Sequence, residues 1–168
     1  FVHFALIGAG LRDKVKLGAS GMIISAFDIA RTMALGADWV NAARAFMFAV
    51  GCIQAQSCHT GECPTGVATQ DPLRQRAIVV PDKAERVASF HRNTLHALAE
   101  LVAAAGLSHP ADLRPHHFLR RASSDKVISL AEQYELLAPG QLLADPSSSP
   151  RFAEAWAHSS ADRFARIG

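Results

Sequence analysis

Lys14-Val15-Lys16-Leu17-Gly18-Ala19-Ser20-Gly21-Met22 carries the first sign of an α/β architecture. Its first four residues alternate polar and apolar, the two-residue period of a short strand. Gly18 to Gly21 follow as a small-residue turn, where the backbone can approach a ligand closely. Ser25 then stands three residues before Asp28, the spacing of a capping box. A helix is predicted through Ile29, Ala30, Met33 and Ala34, with Gly36 as its stop. Ala37 to Ala43, with Trp39 and Val40 inside, reads as a second strand, and Arg44 to Val50 as an apolar helix. Strand, loop, helix, strand, loop, helix is the order of an α/β domain. Such units place ligands beyond the carboxyl ends of their strands, and in (β/α)8 barrels the loops after strands seven and eight frequently hold a phosphate. The corresponding loops here are Ala19–Met22 and Ala42–Arg44. Their backbone amides and the Arg44 guanidinium could accept an anion. Read alone, Gly18–Gly21 is more often an ordinary turn.

The second helix delivers the chain to Gly51-Cys52-Ile53-Gln54-Ala55-Gln56-Ser57-Cys58-His59-Thr60-Gly61-Glu62-Cys63-Pro64-Thr65-Gly66-Val67-Ala68-Thr69-Gln70, which holds all three cysteines of the protein. An odd number of thiols cannot pair off completely into internal disulfides. Soft thiolates select iron–sulfur clusters, zinc or copper(I). Zinc would normally take a fourth ligand, which His59 can supply, although structural zinc sites usually show a tighter knuckle. A cluster with three cysteine-bound irons needs only Cys52, Cys58 and Cys63. Buried free thiols are the bland alternative, and Cys52, which follows an apolar run, suits it best. Spacing alone leaves zinc and cluster both open.

The 168 residues are enough for a domain with a sizeable core, and 49% hydrophobic with 19% charged residues describes a globular chain. A net charge of +2, with no basic run interleaved with aromatics, argues against nucleic acid. No apolar run reaches the roughly 18 residues of a membrane span, and no signal-peptide pattern appears. Free cysteines fit a reducing interior, so the cytoplasm is the expected compartment. The chain opens on Phe1-Val2-His3 in apolar, helix-like sequence, and is expected to be the C-terminal part of something longer.

Pro64 to Asp82 lacks periodicity and reads as ordered irregular chain near the cysteines. Asp82 to Ala105 is the strongest helix, with Asp82 as cap, Glu85 three residues on, a stripe of Val87, Phe90, Leu95, Leu98 and Leu101, and Gly106 as stop. A basic connector follows, with a helix expected over Pro115–Arg121. His116 and His117 are adjacent, which argues against metal binding by the pair on a helix. Ser124–Leu137 reads as an amphipathic helix, Ala144–Pro150 as a linker-like break, and Arg151–Phe164 as a last short helix using Phe152, Ala155 and Trp156.

Gly18 to Asp82 resembles the FMN-binding synthase domain of the glutamate synthase family. The residues that carry this are Gly-Ala-Ser-Gly at 18–21, Phe-Asp-Ile-Ala-Arg at 27–31, Leu-Gly-Ala-Asp at 35–38, Gly-Cys-Ile-Gln at 51–54, the run at 58–70 and Asp-Lys-Ala-Glu-Arg-Val at 82–87. The cysteine run ending in Pro-Thr-Gly-Val-Ala-Thr-Gln is highly specific, and the likeness is greatest to short members without a fused glutaminase domain.

The resemblance implies the C-terminal part of a (β/α)8 barrel, with 14–20 and 37–43 as its last two strands, followed by a mostly helical C-terminal region. It divides the chain into 1–81, the barrel part with the iron–sulfur loop 51–70, and 82–168, a helical extension packing on the barrel. It implies FMN contacts at Ser20, Gly21, Met22, Ala43 and Arg44, and a 3Fe–4S cluster on Cys52, Cys58 and Cys63. The reaction implied is reduction of 2-iminoglutarate, formed from 2-oxoglutarate and ammonia or glutamine-derived ammonia, to L-glutamate. Electrons would come from a donor protein or reductase subunit through the cluster to FMN. Met22 stands where relatives commonly carry Lys and Ala45 where they often carry Gly; Met22 cannot donate a charged hydrogen bond. With strands one to six upstream, the 168 residues alone are expected to be inactive. A non-catalytic zinc or interaction module on Cys52, Cys58, His59 and Cys63 is the alternative.

Overall fold

The computed structural model describes residues 1–160 and Asp162. In chain order its elements are α1 (Val2–Gly8), β1 (Gly18–Ser20), α2 (Ala26–Ala34), β2 (Trp39–Asn41), α3 (Ala43–Val50), α4 (Pro72–Gln75), α5 (Val80–Ala104), β3 (Leu119–Arg121), β4 (Val127–Ser129), α6 (Leu130–Gln133), α7 (Gln141–Ala144) and α8 (Pro150–Ala157). Single turns of 3-10 helix sit at Arg12–Lys14, Pro110–Asp112, Pro115–His117 and Pro146–Ser148. This is a mixed α/β chain with few strands. Its contacts divide it into two compact units. One comprises Phe1–Leu17, Leu35–Asp38 and the described residues from Arg114 onward; the other comprises Gly18–Ala34 and Trp39–Leu113.

The unit containing residues 18–34 and 39–113 is built on a parallel pair, β1 on β2, with Gly18 opposite Trp39, Ala19 opposite Val40 and Ser20 opposite Asn41. Parallel neighbours need a crossover, and α2 supplies it. Ser25 and Asp28 cap α2 reciprocally: the Asp28 N–H donates to Ser25 Oγ at 3.2 Å, and the Ser25 N–H to Asp28 Oδ2 at 3.0 Å. The buried face of α2 is Ala26, Ala30 and Ala34, spaced four apart, so its neighbour α5 can approach closely. On α5 the buried residues are Leu98 and Val102. Phe46 of α3 meets Phe90 of α5 edge-on, ring centroids 5.2 Å apart.

The structure departs from the sequence expectations at several elements. The first strand lies at Gly18–Ser20, not Lys14–Leu17, because Arg12–Lys14 is spent in a 3-10 turn. A Cβ on Gly18 would run into the Trp39 indole, so this glycine makes room for a neighbouring side chain rather than a ligand. Helix α5 starts at Val80 with Val79 as cap, not at Asp82, since proline is tolerated in a first turn and Pro81 sits there. Leu95 of the expected stripe is half exposed at 49%. Gly36 and Gly106 do stop their helices, both with positive φ.

The other unit has its core at Phe4, Leu137, Leu142 and Phe152, with Ala5, Ile7, Tyr134 and Trp156 packed around. Phe1 stacks on Phe152 at 4.6 Å between centroids. Arg12 ties the unit's first segment to its second. Its guanidinium donates to His3 Nδ1 (2.8 Å), the Val15 carbonyl (2.7 Å), the Gly36 carbonyl (2.9 Å) and Asp38 Oδ2 (2.8 Å). The Leu17 N–H donates to the same carboxylate oxygen at 2.7 Å. That bond and Arg12 hold the Asp38 carboxyl below its ordinary value. Burial, then Arg12, keeps the His3 pKa low.

The helices expected over Pro115–Arg121 and Ser124–Leu137 are replaced by a 3-10 turn, an antiparallel hairpin of β3 on β4, and the short helix α6. The hairpin closes through Ala122 and Ser123 N–H groups donating to the Lys126 carbonyl, and Ser129 with Glu132 forms a capping box that restarts helix only at Leu130. The His116 and His117 rings touch, 4.1 Å between centroids. Ala144–Pro150 is mostly exposed but ordered rather than linker-like, with a 3-10 turn at Pro146–Ser148 and Ser149 fully buried. The last helix ends at Ala157; of the expected extension to Phe164, positions 161, 163 and 164 lie outside the described residues.

Candidate functional site

The carboxyl ends of β1 and β2 open into a cavity of about 620 Å³ within the unit that contains them. Ser20, Gly21, Met22 and Ile23 line it from the first strand end; Asn41, Ala43 and Arg44 line it from the second. Met47 and Phe48 of α3 add apolar wall, and Cys52, Gln54, Gln56 and Cys58 complete the lining. The volume falls in the range of small-molecule and cofactor sites.

The strand ends present free donors. Gly21 and Met22 both have positive φ, 99° and 56°, which turns the chain sharply after β1. Among the described residues, the N–H groups of Met22 and Ile23 find no acceptor. Helix α3 begins without a side-chain cap at Ala42, so the N–H groups of Ala43 and Arg44 are unpaired as well. The Arg44 side chain is exposed and makes no ion pair among the described residues. Unpaired amides at a helix start beside a cation favour an anion. Arg44 is the one charged residue on the lining.

The cysteines separate into two environments. Cys52 is half-buried and Cys58 exposed, both on the cavity; Cys63 is buried and off its lining. None is in a disulfide. Thr65 lies 3.5 Å from Cys63 Sγ through its hydroxyl. That hydroxyl, with the N–H groups of Ala68 and Thr65, pulls the Cys63 thiol down to about 7, toward the thiolate that binds metals. The chain after Cys58 is laced to itself. Thr69 donates to the Gly61 carbonyl, Arg74 to Glu62 (3.1 Å), and Gln75 to Thr69 (2.9 Å). Asp71 caps α4, a helix start not read from the sequence. Gly66 is required, since a Cβ there would strike the Arg74 carbonyl.

As a donor set, three free thiols on one loop fit a thiolate-bound cluster in chemistry. The sulfurs are not converged on one point: no three His, Cys, Asp or Glu side chains come together as a metal site among the described residues. His59 is exposed and joins no such group.

Of the residues singled out in the sequence, Ser20, Gly21, Met22, Ala43, Arg44, Cys52 and Cys58 share the cavity, and Cys63 does not. Missed were Ile23, Asn41, Met47, Phe48, Gln54 and Gln56. Asn41 could have been found from its place at the end of a strand. No local signal marks the two glutamines.

Parallel strands with an anion-favouring site at their carboxyl ends, beside a cysteine loop, define an α/β ligand-binding domain. Residues 1–108 match the family described as the conserved region in glutamate synthase. The chain belongs to the glutamate synthase family. It is 43% identical over 121 residues to the glutamate synthase large subunit-like protein YerD of Bacillus subtilis (strain 168), covering 72% of this chain and 23% of that protein. It is 38% identical over 105 residues to an archaeal glutamate synthase of Methanocaldococcus jannaschii whose name specifies NADPH, covering 62% and 21%. It is 34% identical over 136 residues to ferredoxin-dependent glutamate synthase 2 of Synechocystis sp. (strain ATCC 27184 / PCC 6803 / Kazusa), covering 80% and 8%. The chain thus spans less than a quarter of the length of these relatives. No helix among the described residues is long and apolar enough to cross a membrane.

Proposed function

We propose that this chain is the part of a glutamate synthase carrying the phosphate end of an FMN site and the ligands of a 3Fe–4S cluster. Residues 1–81 would complete a (β/α)8 barrel with its last two strands, and the chain from residue 82 would pack on that barrel. The whole protein would make L-glutamate from 2-oxoglutarate and ammonia through 2-iminoglutarate, in the cytoplasm, fed by an electron-donor protein or reductase subunit. The names of relatives that specify ferredoxin or NADPH support a donor of that kind.

The observation that carries this reading is the chemistry of one cavity wall. It offers a single cation, Arg44, with the unpaired amides of Met22, Ile23 and Ala43. It offers no carboxylate, an apolar stretch of Ile23, Met47 and Phe48, and neutral amides at Asn41, Gln54 and Gln56. A ligand with one anionic end, a broad apolar body and a neutral polar edge suits that wall, and a flavin mononucleotide has these three parts. Cys52 and Cys58 reach the same cavity, which suits a cluster beside a flavin.

In this reading the residues present do simple things. Arg44 and the strand-end amides hold the phosphate, Met47 and Phe48 exclude water, and Cys52, Cys58 and Cys63 hold iron. FMN and the cluster, when bound, supply hydride and electron-transfer chemistry that side chains lack. The test is the full-length protein isolated without oxygen, assayed for bound flavin and for iron. About three irons per chain and FMN are expected, the stoichiometry of a cluster on three thiolates. Protein carrying zinc, or neither iron nor flavin, would overturn the proposal.

A further inference from the structure

Among the described residues, three that are not glycine have positive φ: Met22, Gln54 and Gln56, at 56°, 57° and 58°. All three line the cavity. Holding an L-residue in the left-handed region has a cost that glycine avoids, and such residues cluster at functional sites. Gln54 and Gln56 alternate within one loop between Cys52 and Cys58. If only the turn of the chain mattered, glycine would serve at both positions. The chain instead carries two long amide side chains there. Both are exposed, and neither amide makes a hydrogen bond among the described residues; the one bond at these residues is the Gln54 N–H to Cys52 Sγ, at 3.5 Å.

We infer that Gln54 and Gln56 bind the neutral polar edge of the ring system of the cavity's ligand, a specificity role separate from the anion end held by Arg44. This rests on the flavin reading above. A primary amide both donates and accepts, which matches an edge where carbonyls alternate with ring nitrogens. Arg44, the one cation on this wall, is already given to the anionic end, so the two amides face the neutral remainder of the ligand. The strain at positions 54 and 56 is then the cost of presenting two amides to the ligand from so short a loop.

The experiment uses the full-length protein carrying this chain, stripped of flavin and titrated with FMN and with riboflavin, which lacks the phosphate. Gln54→Gly and Gln56→Gly relieve the backbone strain, so each should raise, and not lower, the melting temperature of the flavin-free protein. Each should also weaken both flavins by the same factor, about 2- to 12-fold, the scale of one neutral hydrogen bond. Gln54→Ala and Gln56→Ala keep the strained backbone and should weaken both flavins equally, without the gain in stability. Wild-type protein that binds FMN, with all four variants retaining its affinity, overturns the inference and leaves the flavin reading standing. Variants that weaken FMN but not riboflavin place the amides at the phosphate and also overturn it. Wild-type protein that binds neither flavin removes the flavin reading, and the inference with it.

Discussion

Gly8 and Leu142 compete for the same space, so replacing both should be less damaging than the two single changes suggest. Leu142 is 1% exposed, in the core with Phe4, Leu137 and Phe152. Leu142→Ala removes three carbons at about 0.8 kcal/mol each, and the cavity left behind brings the loss to about 3–4 kcal/mol. A Cβ on Gly8 would lie 2.7 Å from Leu142 Cγ, 2.8 Å from its Cδ1 and 2.7 Å from Leu137 Cδ1. Overpacking of this kind costs about 1–3 kcal/mol. The helical backbone at Gly8 accepts alanine and regains about 1 kcal/mol of propensity, so Gly8→Ala alone should cost up to about 2 kcal/mol. In the double variant the two contacts with Leu142 disappear, and the new methyl fills part of the hole. The pair should therefore be about 1–2 kcal/mol less destabilised than the sum of the singles. Native-state hydrogen exchange on the amides of α1, α7 and α8 in the full-length protein measures this, because it reads local opening without requiring global two-state unfolding. Additivity within about 0.5 kcal/mol would refute the packing argument.

Acid should loosen the same unit in two steps. The folded pKa of His3 is lowered by burial and Arg12, so its contribution is present above the ordinary value of 6.5 and lost as pH falls below it. That of Asp38 is lowered by the Leu17 N–H and Arg12, so its contribution is present above 3.8 and lost as pH falls further. Melting scans from pH 7 to pH 3 should show both steps, and His3→Gln should remove only the first; a flat profile would contradict this. Ser129→Ala removes the capping box of α6 and should cost about 1 kcal/mol, read as faster exchange at the Glu132 amide, which now donates to Ser129 Oγ at 3.2 Å. Cys58→Ser in the full-length protein should abolish the iron signal, and full iron retention would take Cys58 out of the ligand set. Arg44→Ala should weaken FMN by about 1.5–3 kcal/mol, the scale of a charged hydrogen bond, and unchanged affinity would show that Arg44 serves elsewhere.

Elements whose signal is local were legible in the sequence. Ser25 and Asp28 announce α2 because the cap bonds lie within one turn, and Gly36 and Gly106 end their helices because each takes a positive φ. The hairpin was not legible. Leu119–Arg121 and Val127–Ser129 are three residues each, too short to display a period, and their partner is set by the turn at Ala122–Lys126. Ala144–Pro150 has the composition of a linker, yet Asp145 accepts from the Ser147 N–H at 2.9 Å and Ser149 is buried. Composition reports what a segment can do in water; packing decides what it does in the fold.

The cavity divides along the same line. Ser20–Met22 and Ala43–Arg44 could be read from sequence because they end strands, and strand ends are where α/β folds keep their ligands. Helix α3 could not be divided by eye, since Phe46, Met47 and Phe48 are all apolar. The structure turns Phe46 onto Phe90 of α5 and gives Met47 and Phe48 to the cavity. Cysteine spacing likewise names the thiols without locating them. Cys52 and Cys58 follow α3 directly and stay at its cavity. Cys63 lies beyond the turn at Gly61 and is held by Thr65 within a loop that Arg74 and Gln75 fasten from downstream. Cys63 is the buried thiol of the three and lies off the cavity lining that Cys52 and Cys58 share. Spacing reports neither burial nor which wall a side chain joins, because the bonds that set the loop's path come from Arg74 and Gln75, well downstream of the last cysteine.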